Sequence, residues 1–162
     1  MHIRIISTGG TIDKIYFDAK SEFEVGSPQA GVLLAEANVS FGYEVVSLLR
    51  KDSLDLDDAD RELIRATVAA DPCERIIITH GTDTMVQTAR VLQSIENKVI
   101  VLTGSMQPAG QRVTDAIFNV GFAAAAVQLL PEGVYIAMNG RIHDPAITRK
   151  NLAANRFEKD LP

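Results

Sequence analysis

The residues best suited to do chemistry sit in two short, glycine-punctuated runs, Ser7-Thr8-Gly9-Gly10-Thr11 and Thr79-His80-Gly81-Thr82-Asp83-Thr84. Glycines let backbones approach closely and present amide N–H groups to an anion or an oxyanion. Threonine hydroxyls are candidate nucleophiles, weak until a neighbouring base or a desolvated lysine amine activates them. Thr82-Asp83 beside a lysine would supply such a relay. Two other chemistries fit less well. The lysine of Gly9-Gly10-Thr11-Ile12-Asp13-Lys14 is misplaced for a GxxxxGK[ST] phosphate loop, and no GxGxxG dinucleotide fingerprint occurs anywhere.

Both runs follow apolar segments that read as strands. Five such segments stand out, at 3–7, 43–49, 75–79, 99–103 and 134–138, several almost continuously apolar, such as Ile76-Ile77-Ile78 and Val99-Ile100-Val101-Leu102. A strand covered on both faces has that pattern, as in a parallel sheet. Helical patterns fall between them. Ser27-Pro28 reads as a cap and first helical residue leading into 31–37, and Asp57 or Asp58 as the cap of a helix reaching Ala70. Leu63, Ile64, Thr67 and Val68 form one expected buried face. Met85, Ala89 and Leu92 form the next, and Ile117, Val120, Gly121 and Ala124 the last, with Pro131 ending that helix. Strand–helix–strand at this rhythm implies right-handed crossovers. The expected fold is α/β, a single doubly wound, mainly parallel sheet with helices on both faces, Rossmann-like or flavodoxin-like. In such sheets ligands bind beyond the carboxyl ends of the strands. The first, third, fourth and fifth strands end in small, polar or glycine-rich segments, the last two being Thr103-Gly104-Ser105-Met106 and Asn139-Gly140-Arg141. Lys51-Asp52-Ser53 follows the second. All should meet at one rim.

Composition narrows the partners. The chain has 162 residues, 46% hydrophobic and 23% charged, the make-up of an ordinary globular domain. A net charge of −5 speaks against binding a nucleic-acid backbone. A single cysteine, Cys73, rules out a disulfide framework and a CxxC metal site, and His2, His80 and His143 lack metal-ligand spacing. The N-terminus has no secretory pattern, and the apolar stretch at 116–130 is too short to span a bilayer. A cytoplasmic protein with no membrane partner is expected.

Thr8-Gly9-Gly10-Thr11-Ile12 after a first strand, paired with His80-Gly81-Thr82-Asp83-Thr84-Met85 after a third, resembles the L-asparaginase/glutaminase family, and in particular its short-chain bacterial members. Asp52-Ser53 resembles the family's substrate-binding serine segment, Gly104-Ser105-Met106 with Pro108 its next strand-end turn, and Asp115 with Phe118-Asn119 its following helix start. The resemblance covers nearly the whole chain as one domain, 1–162, of the family's N-terminal catalytic type, without its C-terminal domain. It implies a metal- and cofactor-free hydrolysis of L-asparagine, with L-glutamine as a further candidate, through an acyl-enzyme. Thr11 matches the nucleophile, and Thr82 with Asp83 the second threonine and its aspartate. Asp83 would contact the substrate α-amine and Ser53 its α-carboxylate. Gly10, Gly81, Asp52 and Ser105 line the implied binding segment. The family lysine falls in Ile147-Thr148-Arg149-Lys150-Asn151. Lys150 is the candidate over Arg149, because a guanidinium cannot be deprotonated.

Two positions depart from the family pattern. Its tyrosine near the nucleophile aligns with Phe23 in the segment 21–26, so Tyr16 is the candidate for that role. The glutamine after the substrate serine in some members is Leu54 here. Two-domain members complete the α-amine site with an acidic residue from a neighbouring subunit's C-terminal domain. The resemblance therefore implies a homodimer or higher homo-oligomer whose pocket is completed differently or left more open. Two other readings compete: an ammonia-supplying component of an amidotransferase, and a non-catalytic amino-acid-binding domain. His80 is expected as a buried residue holding its turn, His143 as solvated, Cys73 as an inert or surface thiol, and Asp55-Leu56-Asp57-Asp58 as a helix start. The 123–126 alanine run reads as close packing on the sheet.

Overall fold

The computed structural model describes residues 1–17 and 22–160; Ser21, the first residue of the segment around Phe23, lies outside them. Its centre is a six-stranded sheet in the order β4-β1-β5-β6-β7-β8, formed by β1 (His2–Gly9), β4 (Gly42–Lys51), β5 (Arg75–Thr79), β6 (Val99–Thr103), β7 (Gly133–Met138) and β8 (Arg141–His143). All neighbours run parallel except β8, which returns antiparallel to β7. Counting only the parallel strands, the chain order across the sheet is 2-1-3-4-5, the flavodoxin-like winding. Winding reverses at β1, between β4 and β5.

The apolar runs are buried on both faces, as a parallel sheet requires. Ile3, Ile5, Ile77, Val101 and Ala137 pack under α1 (Ala30–Glu36) and α4 (Ala116–Leu129). Their alternates Ile6, Ile76, Ile78, Ile100, Leu102 and Ile136 pack under α2 (Asp58–Ala70) and α3 (Met85–Leu92). Asp57 caps α2 in a reciprocal capping box with Asp60, and Met85, Ala89 and Leu92 are fully buried. No described helix is long and apolar enough to cross a membrane.

Several expectations fail locally. Helix α1 starts later than Ser27-Pro28 implies, with Gln29 at its N-cap, because the Gln29 N–H is drawn to the Asp13 carboxylate at 2.8 Å. Leu63 lies off the buried stripe of α2, which is Ile64 and Val68. On α4, Ile117 is 63% exposed and Gly121 faces out too, whereas Val120 and Ala124 are buried as expected and Ala116, Asn119, Ala123 and Val127 complete the buried stripe. A helix apolar nearly all round has no periodicity to reveal its inner face. His143 is buried, its Nε2 3.2 Å from the Met138 carbonyl, rather than solvated. Asn139-Gly140 does not open onto the rim as a ligand loop. With φ of 54° and 71° it makes the tight β7–β8 hairpin turn, the geometry for which Asn-Gly is the strongest short signal.

Two antiparallel ribbons stand outside the sheet: β2 (Lys14–Phe17) with β3 (Glu22–Val25), and β9 (Thr148–Asn151) with β10 (Arg156–Lys159).

Candidate functional site

Strand register delivers the polar segments level with one another. Ser7 pairs with Thr79 and Ser47, and Thr79 with Thr103, so Thr8, His80 and Gly104 emerge side by side at the carboxyl rim. Thr8 Oγ1 donates to the Thr79 carbonyl at 2.9 Å, and the Gly10 N–H donates to the Lys51 carbonyl at 2.9 Å. Backbone contact then replaces side-chain packing. Gly10, at φ 86°, lies against Gly81 so closely that a Cβ would collide with the Gly81 nitrogen. A Cβ on Gly81 would fall 2.6 Å from Ser53 Oγ. The Thr11 turn, the Thr82 turn and the Ser53 turn therefore meet where only glycine fits.

Each turn is held from beneath. Thr11 opens a short 3-10 turn, Thr11–Asp13, and is partly exposed. Asp13 is fully buried under it, accepting from Ser7 Oγ at 2.7 Å and Gln29 N at 2.8 Å, while its carbonyl accepts from Gly26 N at 2.7 Å. Burial pushes the Asp13 carboxyl up from its ordinary range against the pull of those two hydrogen bonds. Sequence spacing gives no sign of Asp13, because its partners come from β1 and the start of α1.

Ser53 is buried in the turn Ser53–Asp55, which Asp52 caps by accepting from Leu54 N at 3.3 Å. Ser53 Oγ accepts from the Asp83 N–H at 3.3 Å, and its carbonyl accepts from Thr84 Oγ1 at 2.7 Å. His80 is wholly buried, with Nδ1 2.6 Å from the Gly81 carbonyl and Nε2 2.8 Å from Thr88 Oγ1. Burial lowers its pKa to about 4, so the ring is neutral near pH 7. A carbonyl can only accept; the proton therefore sits on Nδ1, and Nε2 accepts from the Thr88 hydroxyl. Both ring nitrogens are committed to shaping the turn.

Lys150 reaches this turn from the far ribbon. Its Nζ donates to Thr82 Oγ1 at 2.7 Å and Asp83 Oδ1 at 2.6 Å, with the side chain only 11% exposed. Arg149, the neighbouring candidate, pairs with Glu158 at 2.8 Å instead. The ribbon is clamped to the body: the Arg90 guanidinium donates to the Pro145 and Thr148 carbonyls at 2.9 and 3.2 Å, and Phe157 N–H donates to Asn139 Oδ1 at 2.9 Å. Sequence reasoning misses Arg90 and Phe157 as supporting residues. The alternation Arg156-Phe157-Glu158 is the available signal for the second of them.

The structure thus joins Gly10, Gly81, Ser53, Thr82, Asp83 and Lys150, with Thr11 next to the glycine contact. Asp52 is at the same rim, paired with Lys14 at 2.6 Å. Two expected residues are placed differently. Ser105 is buried, and its hydroxyl donates to Gln107 O at 2.5 Å within its own loop. Tyr16 is 54% exposed on β2, edge-on to Phe23 directly across the ribbon with centroids 5.4 Å apart. The Asp115 carboxylate orders the β6 loop by accepting from Met106 N and Gln107 N at 3.0 Å and from Asn119 Nδ2 at 2.9 Å. Among the described residues no group of three or more His, Cys, Asp or Glu could hold a metal ion.

The family model described as "Asparaginase, N-terminal" matches residues 2–158. L-asparaginase 2 of Bacillus subtilis is 31% identical over 159 residues, 87% of this chain and 41% of that protein. A glutamyl-tRNA(Gln) amidotransferase component of Methanococcus vannielii is 30% identical over 161 residues, 88% of this chain and 35% of that one. The crystal structure of L-asparaginase I from Vibrio cholerae superposes with a TM-score of 0.85 at 28% identity, covering 98% of this chain and 51% of that chain. The chain spans about two fifths or less of the length of the Bacillus and Methanococcus relatives.

Proposed function

Since the chain belongs to the asparaginase family, whose N-terminal model it matches over residues 2–158, we propose that it hydrolyses the side-chain amide of L-asparagine to L-aspartate and ammonia. The observation that carries this reading is the Lys150–Thr82–Asp83 cluster, with bonds of 2.7 and 2.6 Å, set beside the Gly10–Gly81 contact that precedes Thr11. In the proposed sequence Thr11 Oγ attacks the amide carbon and its proton passes to the leaving nitrogen through the Thr82–Lys150 relay. Ammonia departs, leaving an acyl ester on Thr11. Water then attacks that ester, its proton passes through the same relay to Thr11 Oγ as the ester bond breaks, and aspartate is released. In this scheme backbone N–H groups of the Thr82 turn hold the oxyanion. A preorganised donor of this kind is worth about 2.7–4 kcal/mol in the transition state.

The neutral, fully engaged His80 is not the base in this scheme. Lys150 fits that task better than Arg149, because an amine can shuttle a proton and a guanidinium cannot. The test is ammonia release from L-asparagine and L-glutamine by the unmutated chain and by Thr11→Ala. A fall of at least about a thousandfold in Thr11→Ala is expected; undiminished activity would overturn the nucleophile assignment. A second reading, supply of ammonia to a partner enzyme, is favoured by the comparable identity to the Methanococcus amidotransferase component. It predicts weak release from the isolated chain that rises when a partner is added.

A further inference from the structure

The two faces of the sheet are covered by helices of opposite character. On one side α2 carries Asp58, Asp60, Arg61, Glu62 and Arg65, none of them buried. On the other, α4 has no charged residue among its 14, and Ile117, Phe118 and Leu129 are 63%, 61% and 83% exposed. A helix apolar nearly all round belongs inside a protein, and a contiguous apolar patch at a surface marks contact with another molecule.

The shape of the patch suits a second helix. Ile117, Gly121, Ala125 and Leu129, four residues apart, form one exposed ridge whose middle is small. Phe118 and Phe122 stack along one side of it with centroids 6.1 Å apart. Along the other runs an apolar groove of about 240 Å³ between α4 and α1, lined by Leu33, Val39 and Phe41. Ridges of this spacing on two helices interdigitate with axes about 8–10 Å apart, and small central residues allow the nearer approach.

Charge decides what the second helix is. Both α1 and α4 run from the carboxyl rim to the opposite edge, since each leads from one parallel strand to the next. Arg112 and Arg141 are exposed at the rim end of this face, and Glu36 and Glu132 at the far end. None of the four forms an ion pair with another described residue. Asp115 and Arg75, of opposite sign at those two ends, are already bound to Met106 N and to the Val127 carbonyl. The face is therefore apolar along its length, basic at one end and acidic at the other. It complements its own copy turned antiparallel, basic end to acidic end, whereas a parallel approach would oppose like charges.

We propose that the α1–α4 face binds a second copy of this chain, the two α4 ridges packing antiparallel across a two-fold axis near Gly121 and Ala125. The face lies across the sheet from the β9–β10 ribbon, whose Phe157 packs with α2 and α3. The inference does not depend on the amide-hydrolysis reading.

The experiment is sedimentation equilibrium of the full chain from about 1 to 100 µM at about 0.15 M salt. A reversible monomer–dimer equilibrium with a micromolar dissociation constant is expected. A Cβ at Gly121 meets nothing within 4 Å in the single chain, and glutamine is the better helix former. Gly121→Gln should therefore keep the fold, with unchanged far-ultraviolet circular dichroism, while raising the dissociation constant at least about thirtyfold. Ala125→Glu, which sets two like charges at the axis, should do the same. Arg112→Glu with Arg141→Glu should weaken the dimer about tenfold, and adding Glu36→Arg and Glu132→Arg should recover it to within about threefold. A chain still monomeric at about 100 µM would overturn the inference, as would an assembly that neither ridge substitution disturbs. Failure of the four reversed charges to recover affinity would overturn it as well, because the antiparallel arrangement requires that recovery.

Discussion

Two antiparallel ribbons of four-residue strands leave the central sheet, and each carries a residue expected at the site, but they are built differently. The β9–β10 ribbon buries Phe157 to 3% exposure in the core formed by α2, α3 and the sheet, and Arg90 and Asn139 bind its backbone. Its lysine arrives with two hydrogen bonds in place. The β2–β3 ribbon leaves Ile15, Tyr16, Phe17 and Phe23 exposed, and Tyr16 touches Phe23 rather than the Thr82 turn. Its base is tied at Asp13, through Gly26 N and Gln29 N. The Lys150–Thr82–Asp83 cluster is therefore preorganised by packing, whereas Tyr16 on the other ribbon is not. Preorganisation matters most where charge moves in the transition state, and the proposed relay puts that movement on the side where the packing is concentrated.

The comparison breaks first at Lys150. Lys150→Met is expected to lower ammonia release by about 10²–10⁴-fold, and Lys150→Arg to leave it as low, in steady-state assays at pH 7–8. Near-normal turnover in Lys150→Arg would show that the anchored ribbon supplies charge rather than proton transfer. Phe157→Ala tests the anchor itself. A loss of about 3–5 kcal/mol in urea unfolding is expected for a buried phenylalanine, with activity falling in the fraction that remains folded.

His80 sharpens the comparison on the sheet side. Its folded pKa of about 4 lies below the unfolded value of 6.5, so the unfolded chain takes up a proton first as pH falls. Its stabilising contribution is complete above pH 6.5 and is lost as pH drops toward 4, amounting to about 3 kcal/mol. His143, lowered by burial, acts in the same direction. Denaturant titrations from pH 7 to 5 should show this slope, and His80→Gln should flatten most of it. The smallest effect belongs to Tyr16→Phe. It should change unfolding free energy by no more than about 0.5 kcal/mol, while reducing turnover by about tenfold if the hydroxyl assists Thr11. Unchanged turnover would remove Tyr16 from the site.

Much of the frame can be read from the chain alone. Four of the five parallel strands, β1, β5, β6 and β7, are visible because both faces of each are buried, which leaves uninterrupted runs such as Ile76-Ile77-Ile78, whereas β4, at the sheet edge, buries no residue fully. The capping of α2 by Asp57 is equally local. The inner face of α4 is not, because alanine and valine nearly all round it leave the choice to the sheet. His143 reads as solvated for a related reason: its burial comes from β7 and Phe157, neither of which its neighbours in sequence announce.

The site divides the same way. Thr11, Thr82 and Asp83 are marked in the sequence because each comes just after a glycine at or beyond a strand end, Gly10 or Gly81, and glycine is required where two backbones meet without room for a Cβ. That Ser53 and Thr82 flank the end of β1 depends on the strand order β4-β1-β5, which no local signal encodes. Lys150 rather than Arg149 is a matter of register. Lys150 pairs across the ribbon with Phe157 and Arg149 with Glu158. Cross-strand partners share a face, so burying Phe157 turns Lys150 toward Thr82 and leaves Arg149 in solvent. A slip of one residue would exchange them, and the packing of Phe157 into the core forbids it, together with the Arg90 and Asn139 hydrogen bonds to the ribbon's backbone.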